Sequence, residues 1–318
     1  MADILFIKTS SLGDVVHHMP ALVDARRAHP SARLSWLVEE SFAPLAKLHP
    51  TVDEVIPVAS RRWRGALGSG ATWREMRAFL RQLRARRYDH VVDTQGLLRT
   101  ALYARLAHGR RHGYDRKSIR EPLASAFYDV TYRVARNLHA VARNRILTGQ
   151  ALGYTPDGPP DFGLDWSRSG QPDAKPYAVL LHGTARPEKE WPETRWIAVG
   201  QALATAGKDV LVPWGTDSEH ARAQRIAERI PGARVPERSP LDVTARMIAG
   251  AALVVGADTG LLHLASAFGV PLVAIFVGSE PGLTGPVGAG PIRIVGRKGE
   301  TPSEAEVLGA IGHVAPGN

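Results

Sequence analysis

Cysteine is absent from the 318-residue sequence, which excludes a disulfide framework and any thiolate metal site and favours a reducing compartment. Membrane-spanning runs are missing too. The most apolar stretch, 249–277, is broken by Asp258, His263 and Pro271, short of the roughly 18–20 uninterrupted apolar residues that a span requires. The first residues carry Asp3 in place of a basic region and only four consecutive apolar residues, Ile4 to Ile7, so no secretory leader is expected. No Gly-x-Gly-x-x-Gly fingerprint and no Walker loop follows that run, which removes the two commonest phosphate loops. No His, Asp and Glu spacing reads as a dedicated metal cage, and no metal or cofactor is expected. These absences predict a cytoplasmic protein, soluble or peripheral on a membrane.

What is present is apolar bulk and unevenly placed positive charge. Hydrophobic residues make up 44% of the chain, enough for cores of ordinary size, and this length divides more readily into two domains than it fills one. A stretch rich in Pro, Gly, Asp and Ser between Tyr154 and Pro176 has no sustained apolar period. It is the predicted linker, giving domains at 1–160 and 161–318. The net charge is +9, and residues 1–165 hold 25 Lys and Arg against 16 Asp and Glu, whereas 166–318 hold 15 of each. An excess confined to the first half suits a domain that meets a polyanion, either an anionic membrane surface or nucleic acid. No RNA- or DNA-binding signature accompanies it, and arginine used as solvated surface is the plainer alternative.

Apolar periodicity predicts alternating strands and helices. In the first half, strands are expected at 4–7, 34–38, 54–58 and 90–93, with helices at 15–27, 73–86 and 97–107. The second half restarts with strands at 177–182, 209–213, 253–256 and 270–276 and helices at 194–206, 218–229, 241–250 and 261–268. A weaker helical pattern closes the chain at 303–314. Such alternation implies two doubly wound α/β domains with mainly parallel sheets, whose ligands bind at the carboxyl edge of the strands.

Three loops fall on those edges. Lys8-Thr9-Ser10-Ser11-Leu12-Gly13-Asp14 follows the first strand; Gly13 can adopt backbone conformations closed to other residues, and Asp14 stands at a helix start, where the dipole keeps a carboxylate ionised. The same pattern also suits a plain helix start. Asp258-Thr259-Gly260-Leu261-Leu262-His263 lies between a strand and a helix, so Thr259 and Gly260 can offer backbone N–H groups to a phosphate, with His263 one turn in. A capped turn with a packed histidine reads the same way. Between them, 182–192 places Thr184 and Lys189 after the second half's first strand, where the lysine can meet a diphosphate or simply face water. A basic group runs through Arg61, Arg62 and Arg64 around Trp63, then Arg81, Arg84, Arg86 and Arg87, then Arg110, Arg111, Arg116, Lys117 and Arg120; interleaved with Trp63 and Trp73, it fits a lipid headgroup or a nucleic acid, while the run at 81–87 taken alone reads as a solvated helix face.

Taken together, the blocks at 8–17, 56–64, 93–98, 120–125, 189–192, 213–215 and 258–263 resemble the lipopolysaccharide heptosyltransferases of glycosyltransferase family 9. They span nearly the whole chain in the expected order. The resemblance implies a glycosyltransferase-B fold, two Rossmann-like domains facing across a cleft, and inverting transfer of L-glycero-D-manno-heptose from its ADP donor to Kdo-lipid A at the inner membrane, with no nucleic acid as partner. The opening at 8–11 and the block at 120–125 favour the branch that adds the first heptose over the branch that extends a heptosylated acceptor. By position, Asp14 resembles the general base. Thr184, Lys189, Asp258, Thr259, Gly260 and His263 resemble donor contacts, and Glu219 an acidic residue on the nucleotide ribose. Ser10, Gly13, Arg61, Arg62, Arg64 and Arg120 resemble acceptor contacts. The segment at 236–241, Pro-Glu-Arg-Ser-Pro-Leu, departs from the family's adenine-contacting stretch.

Overall fold

The structure is a computed structural model describing residues 1–164, 176–184 and 187–315. The expected linker beyond residue 164, and Ala185 and Arg186 of the loop at 182–192, lie outside the described residues. The chain divides into two compact units, Met1–Gly163 and Leu164–Asn318.

In the first unit the chain runs β1 (Asp3–Ile7), α1 (Leu12–Ala28), β2 (Arg33–Glu39), α2 (Ala43–Ala46), β3 (Glu54–Val58), α3 (Ser60–Arg64), α4 (Gly70–Arg84), β4 (Arg87–Asp93), α5 (Leu98–Leu106), β5 (His108–Tyr114), β6 (Val130–Tyr132) and α6 (Ala140–Leu152). The strands form one sheet in the order β3-β2-β1-β4-β5-β6, every pairing parallel. A parallel sheet is covered on both faces, so its central strands are apolar throughout. In β1, Leu5 and Ile7 join the cluster containing Leu37, Val91, Trp63, Phe79 and Leu83, while Phe6 packs on the other side against His18 of α1, which also meets Trp36. The helix pair α1 and α6 closes that face.

Periodicity located the apolar strands but not β5, whose sequence His-Gly-Arg-Arg-His-Gly-Tyr has no apolar run. Its neighbours recruit it: a Cβ on Gly113 would lie 2.2 Å from the Tyr128 ring, so the glycine makes room for an aromatic that seals the sheet's far side. Helix α6 was also not foreseen, nor were the short β6, α2 and α3.

The second unit comprises β7 (Tyr177–Leu181), α7 (Glu193–Thr205), β8 (Asp209–Leu211), α8 (Asp217–Ala227), α9 (Leu241–Ala249), β9 (Leu253–Ala257), α10 (Gly260–Ala267), β10 (Leu272–Ile275), β11 (Ile292–Val295) and α11 (Glu304–Val314). Its sheet runs β11-β10-β9-β7-β8, and Arg234 adds a parallel bridge to Leu211 beyond β8. With that bridge counted as a strand position, the order repeats that of the first unit. In each, the first strand lies between its successor and the fourth strand position, β1 beside β4 and β7 beside β9. The direction in which successive strands are added reverses there, while the strands stay parallel, and the crevice outside the carboxyl ends of those strands is the usual ligand site of such a sheet. Among the described residues no helix is long and apolar enough to cross a membrane.

Candidate active site

At the first unit's carboxyl edge, the turn after β4 organises the loop after β1. Asp93 is buried, and its Oδ1 accepts the backbone N–H groups of Gln95 at 2.8 Å and Gly96 at 3.2 Å, while the Tyr128 hydroxyl donates to Oδ2 at 2.8 Å. Burial pushes this carboxyl above the ordinary aspartate range, against the pull of those hydrogen bonds. Gly96 has φ of 70°, a left-handed geometry that favours glycine, and it turns the chain so that Gln95 Oε1 accepts the N–H groups of Thr9 at 3.1 Å and Ser10 at 3.3 Å. The loop carrying the candidate base is thus held by its neighbour strand.

Asp14 occupies the third position of α1 and forms a capping box with Ser11, whose N–H donates to Asp14 Oδ2 at 2.9 Å. Behind it lies Lys8, buried, donating to the Thr94 carbonyl at 3.0 Å and to Asn144 Oδ1 at 3.5 Å, with its Nζ 3.7 Å from Asp14 Oδ1. Burial lowers the Lys8 pKa, Asp14 and Asp93 act to restore it, and the charge of Arg143 lowers it further. Arg99 reaches the Ser10 hydroxyl at 3.3 Å. Gly13 does not take the special backbone conformation expected of it: it is a buried residue inside α1 and is not among the glycines with positive φ. The left-handed glycine of this edge is Gly96, because the tight turn follows β4 and the chain after β1 passes directly into a helix.

The expected acceptor arginines divide into two kinds. Arg62 bridges Glu40 and Glu75 at 2.9 and 2.7 Å, and these carboxylates hold its guanidinium above its ordinary pKa. Its charge is already answered within the fold. Arg61 lies over the Phe42 ring, 5.6 Å from its centroid, and Arg64 and Arg120 are exposed. Among the described residues these three form no ion pair.

At the second unit's edge, Lys189 donates to Asp258 Oδ2 at 2.5 Å, and the Ser279 hydroxyl donates to the same oxygen at 2.5 Å. Burial alone would raise the Asp258 carboxyl; hydrogen bonds from Lys189 and Ser279, and the nearby charges of Lys189 and His263, leave it below the ordinary range. Thr259 starts α10 without capping it by its side chain, and the first N–H groups of a helix have no intrahelical acceptor. His263 is buried on the first turn. Three strand ends therefore converge, those of β7, β9 and β10, and the structure brings together Lys189, Asp258, Thr259, Gly260 and His263. Thr184 follows β7, half-buried.

Glu219 arrives from α8. Its Oε2 accepts the N–H groups of Gly215 at 2.8 Å and Thr216 at 3.0 Å. A Cβ on Gly183 would lie 2.5 Å from Oε1, so the bare glycine admits the carboxylate to the end of β7.

The sequence reading gave no role to Lys8, Gln95, Arg99 or Ser279. Lys8 and Gln95 sit inside blocks already singled out, at 8–17 and 93–98. For Ser279 the available signal was a Gly- and Pro-rich run immediately after a predicted strand. Among the described residues no three His, Cys, Asp or Glu side chains gather in a metal-holding group.

The profile of glycosyltransferase family 9 (heptosyltransferase) matches residues 76–307. Lipopolysaccharide heptosyltransferase 1 of Salmonella typhimurium is 44% identical over 289 residues, covering 90% of this chain and 91% of that protein. The E. coli heptosyltransferase WaaC with ADP superposes with a TM-score of 0.92 at 40% identity, over 97% of this chain and 98% of that one. The same E. coli enzyme with ADP-2-deoxy-2-fluoro heptose gives a TM-score of 0.87 at 40% identity, with the same coverage.

Proposed function

The chain belongs to glycosyltransferase family 9, the heptosyltransferases, and from that premise we propose that it transfers L-glycero-D-manno-heptose from ADP-heptose to the first Kdo of Kdo-lipid A. It is a glycosyltransferase of glycosyltransferase-B fold acting in lipopolysaccharide core biosynthesis. Its place is the cytoplasmic face of the inner membrane, where the acceptor is anchored and where the basic first unit meets anionic headgroups.

The reaction is a single displacement with inversion. Asp14 takes the proton of the acceptor hydroxyl as its oxygen bonds to the anomeric carbon; the bond from that carbon to the donor phosphate oxygen breaks, and ADP leaves with the electron pair. Lys189 and the open N–H groups of α10 meet the charge that grows on the departing diphosphate. Asp258 holds the lysine in place, and Glu219 is a hydrogen-bond acceptor for ribose hydroxyls. Arg61, Arg64 and Arg120 face the phosphates and carboxylates of the acceptor. The observation that carries this reading is the Lys189–Asp258 pair beside the start of α10, which no side chain caps, an arrangement that suits a leaving diphosphate.

Incubation with ADP-heptose and Kdo-lipid A tests it. ADP release together with an acceptor mass gain of one heptose is expected. ADP release without mass gain, or transfer only to an acceptor that already carries heptose, would overturn the assignment.

A further inference from the structure

A cationic concavity lies at the opposite edge of the first unit's sheet from Asp14. Its volume is ≈ 700 Å³, and it is lined by the end of α4 and the amino ends of β4 and β5, including Arg84, Arg86, Arg87 and Arg110. Parallel pairing sets Arg87 opposite His108 and His90 opposite Arg110, so two arginines from adjacent strands stand at one rim. The sheet separates them from Asp14, which follows the carboxyl end of β1.

Charge accounting within the cavity leaves these two arginines unanswered. Helix carboxyl ends gather at this edge and explain Arg84, whose Nε donates to the Leu106 carbonyl at 2.9 Å. Arg86 pairs with Glu54 at 3.5 Å. Of the cavity's two acids only Asp129 is ion-paired among the described residues, so Asp89 leaves a single carboxylate charge among the four arginines of the lining. Asp89 accepts the Asp3 N–H at 2.8 Å, and Asp129 is held by Arg111, which keeps its carboxyl down at about 2. Among the described residues Arg87 and Arg110 have neither an ion pair nor a side-chain hydrogen bond, and both are exposed. Arg74, Arg77 and Arg81 extend the positive surface along the exposed face of α4, and like charges concentrated at a concavity raise the local concentration of anions.

We propose that this amino-edge cavity binds a phosphate group, with Arg87 and Arg110 as its principal contacts, at a site separate from the one that performs transfer. Guanidinium forks match phosphate oxygens in pairs. A lipid headgroup and a free phosphate share that chemistry.

The test uses the full chain with Arg87→Gln and Arg110→Gln combined, since both side chains are exposed and, among the described residues, neither is hydrogen-bonded. Two probes separate the sources: inorganic pyrophosphate measured by calorimetry, and sedimentation with phosphatidylglycerol-containing against pure phosphatidylcholine vesicles. Thermal melting and heptose transfer to a soluble acceptor fragment should match wild type. Loss of vesicle binding by roughly tenfold or more, with pyrophosphate affinity unchanged, assigns a headgroup; a comparable fall in pyrophosphate affinity assigns free phosphate. Either supports the site. Wild type that binds neither probe, or a double variant that binds both as wild type does, would overturn it. If the double variant melts lower, the single Arg110→Gln variant supplies the same comparison.

Discussion

The carboxyl edges of the two units share a strand order and carry charge pairs of opposite polarity. In the first, the lysine is the hidden member: the side chain of Lys8 is 6% exposed and that of Asp14 30%. In the second the carboxylate is the deeper one, with Asp258 at 14% and Lys189 at 22%. Each hidden charge is satisfied from behind, Lys8 by the Thr94 carbonyl and Asn144, Asp258 by Ser279. Topology thus supplies the position, and the sign of the outward partner decides what it can do. An outward carboxylate can accept a proton, and an outward ammonium can neutralise a phosphate.

The sharpest way to break this comparison is Asp14→Asn. Turnover should fall by roughly 10²- to 10⁴-fold, the usual contribution of a general base, while ADP-heptose affinity measured by calorimetry stays near wild type. Turnover within tenfold would mean that the outward carboxylate is only a helix cap. Next in size, joint replacement of Arg61, Arg64 and Arg120 by Ala should raise the acceptor KM by about 100-fold. Donor affinity should barely change, and most of the wild-type sensitivity of acceptor binding to salt should disappear.

Lys189→Ala should weaken ADP-heptose binding by about 10- to 100-fold and lower turnover as well, because the diphosphate is charged both before and during departure. Unchanged donor affinity would leave the second pair as structure alone.

Acidification should separate the units in another way. Burial lowers the pKa of His49 and His112 to about 4 and that of His18 well below its ordinary value in the first unit, while in the second burial lowers His182 to about 4. A histidine whose folded pKa is depressed stays neutral in the fold while the unfolded chain takes up protons near pH 6.5. Stability is therefore full above about 6.5 and is lost as pH falls toward 4, by about 1.4 kcal/mol per pH unit for each such group. Amide protection, corrected for the intrinsic exchange rate at each pH, should fall more steeply between pH 6.5 and 5 in β1 and β2 than in β7 and β9. An equal fall would show that the units unfold as one. The smallest effect is expected for Arg62→Ala. Its charge is spent on Glu40 and Glu75 at the surface, so the acceptor KM should stay within about threefold of wild type.

Much of this architecture was legible in one dimension. Buried parallel strands read as apolar runs, so β1, β2, β3, β7, β9 and β10 announced themselves, and the switch point follows from alternation plus strand order. Strand β5 did not, because a strand of histidines, glycines and arginines is recruited by its neighbours' hydrogen bonds and by the Tyr128 ring, neither of which leaves a local pattern. The loops at 8–14 and 258–263 were legible as strand-to-helix turns bearing an acid, and the family resemblance added the ligand expected at each.

By itself the amino-acid sequence determined the two-domain α/β plan, the one-sided positive charge and the acid carried by one loop at each edge, since these depend on composition, period and local turn chemistry. Only tertiary structure decided which charges face outward. Lys189 and Asp258 lie 69 residues apart and Lys8 and Asn144 lie 136 apart, and separations of that length are closed by sheet pairing and core packing. The same packing spent Arg62 on two carboxylates and, among the described residues, left Arg87 and Arg110 without an ion pair, a division that no reading of arginine positions along the chain could make.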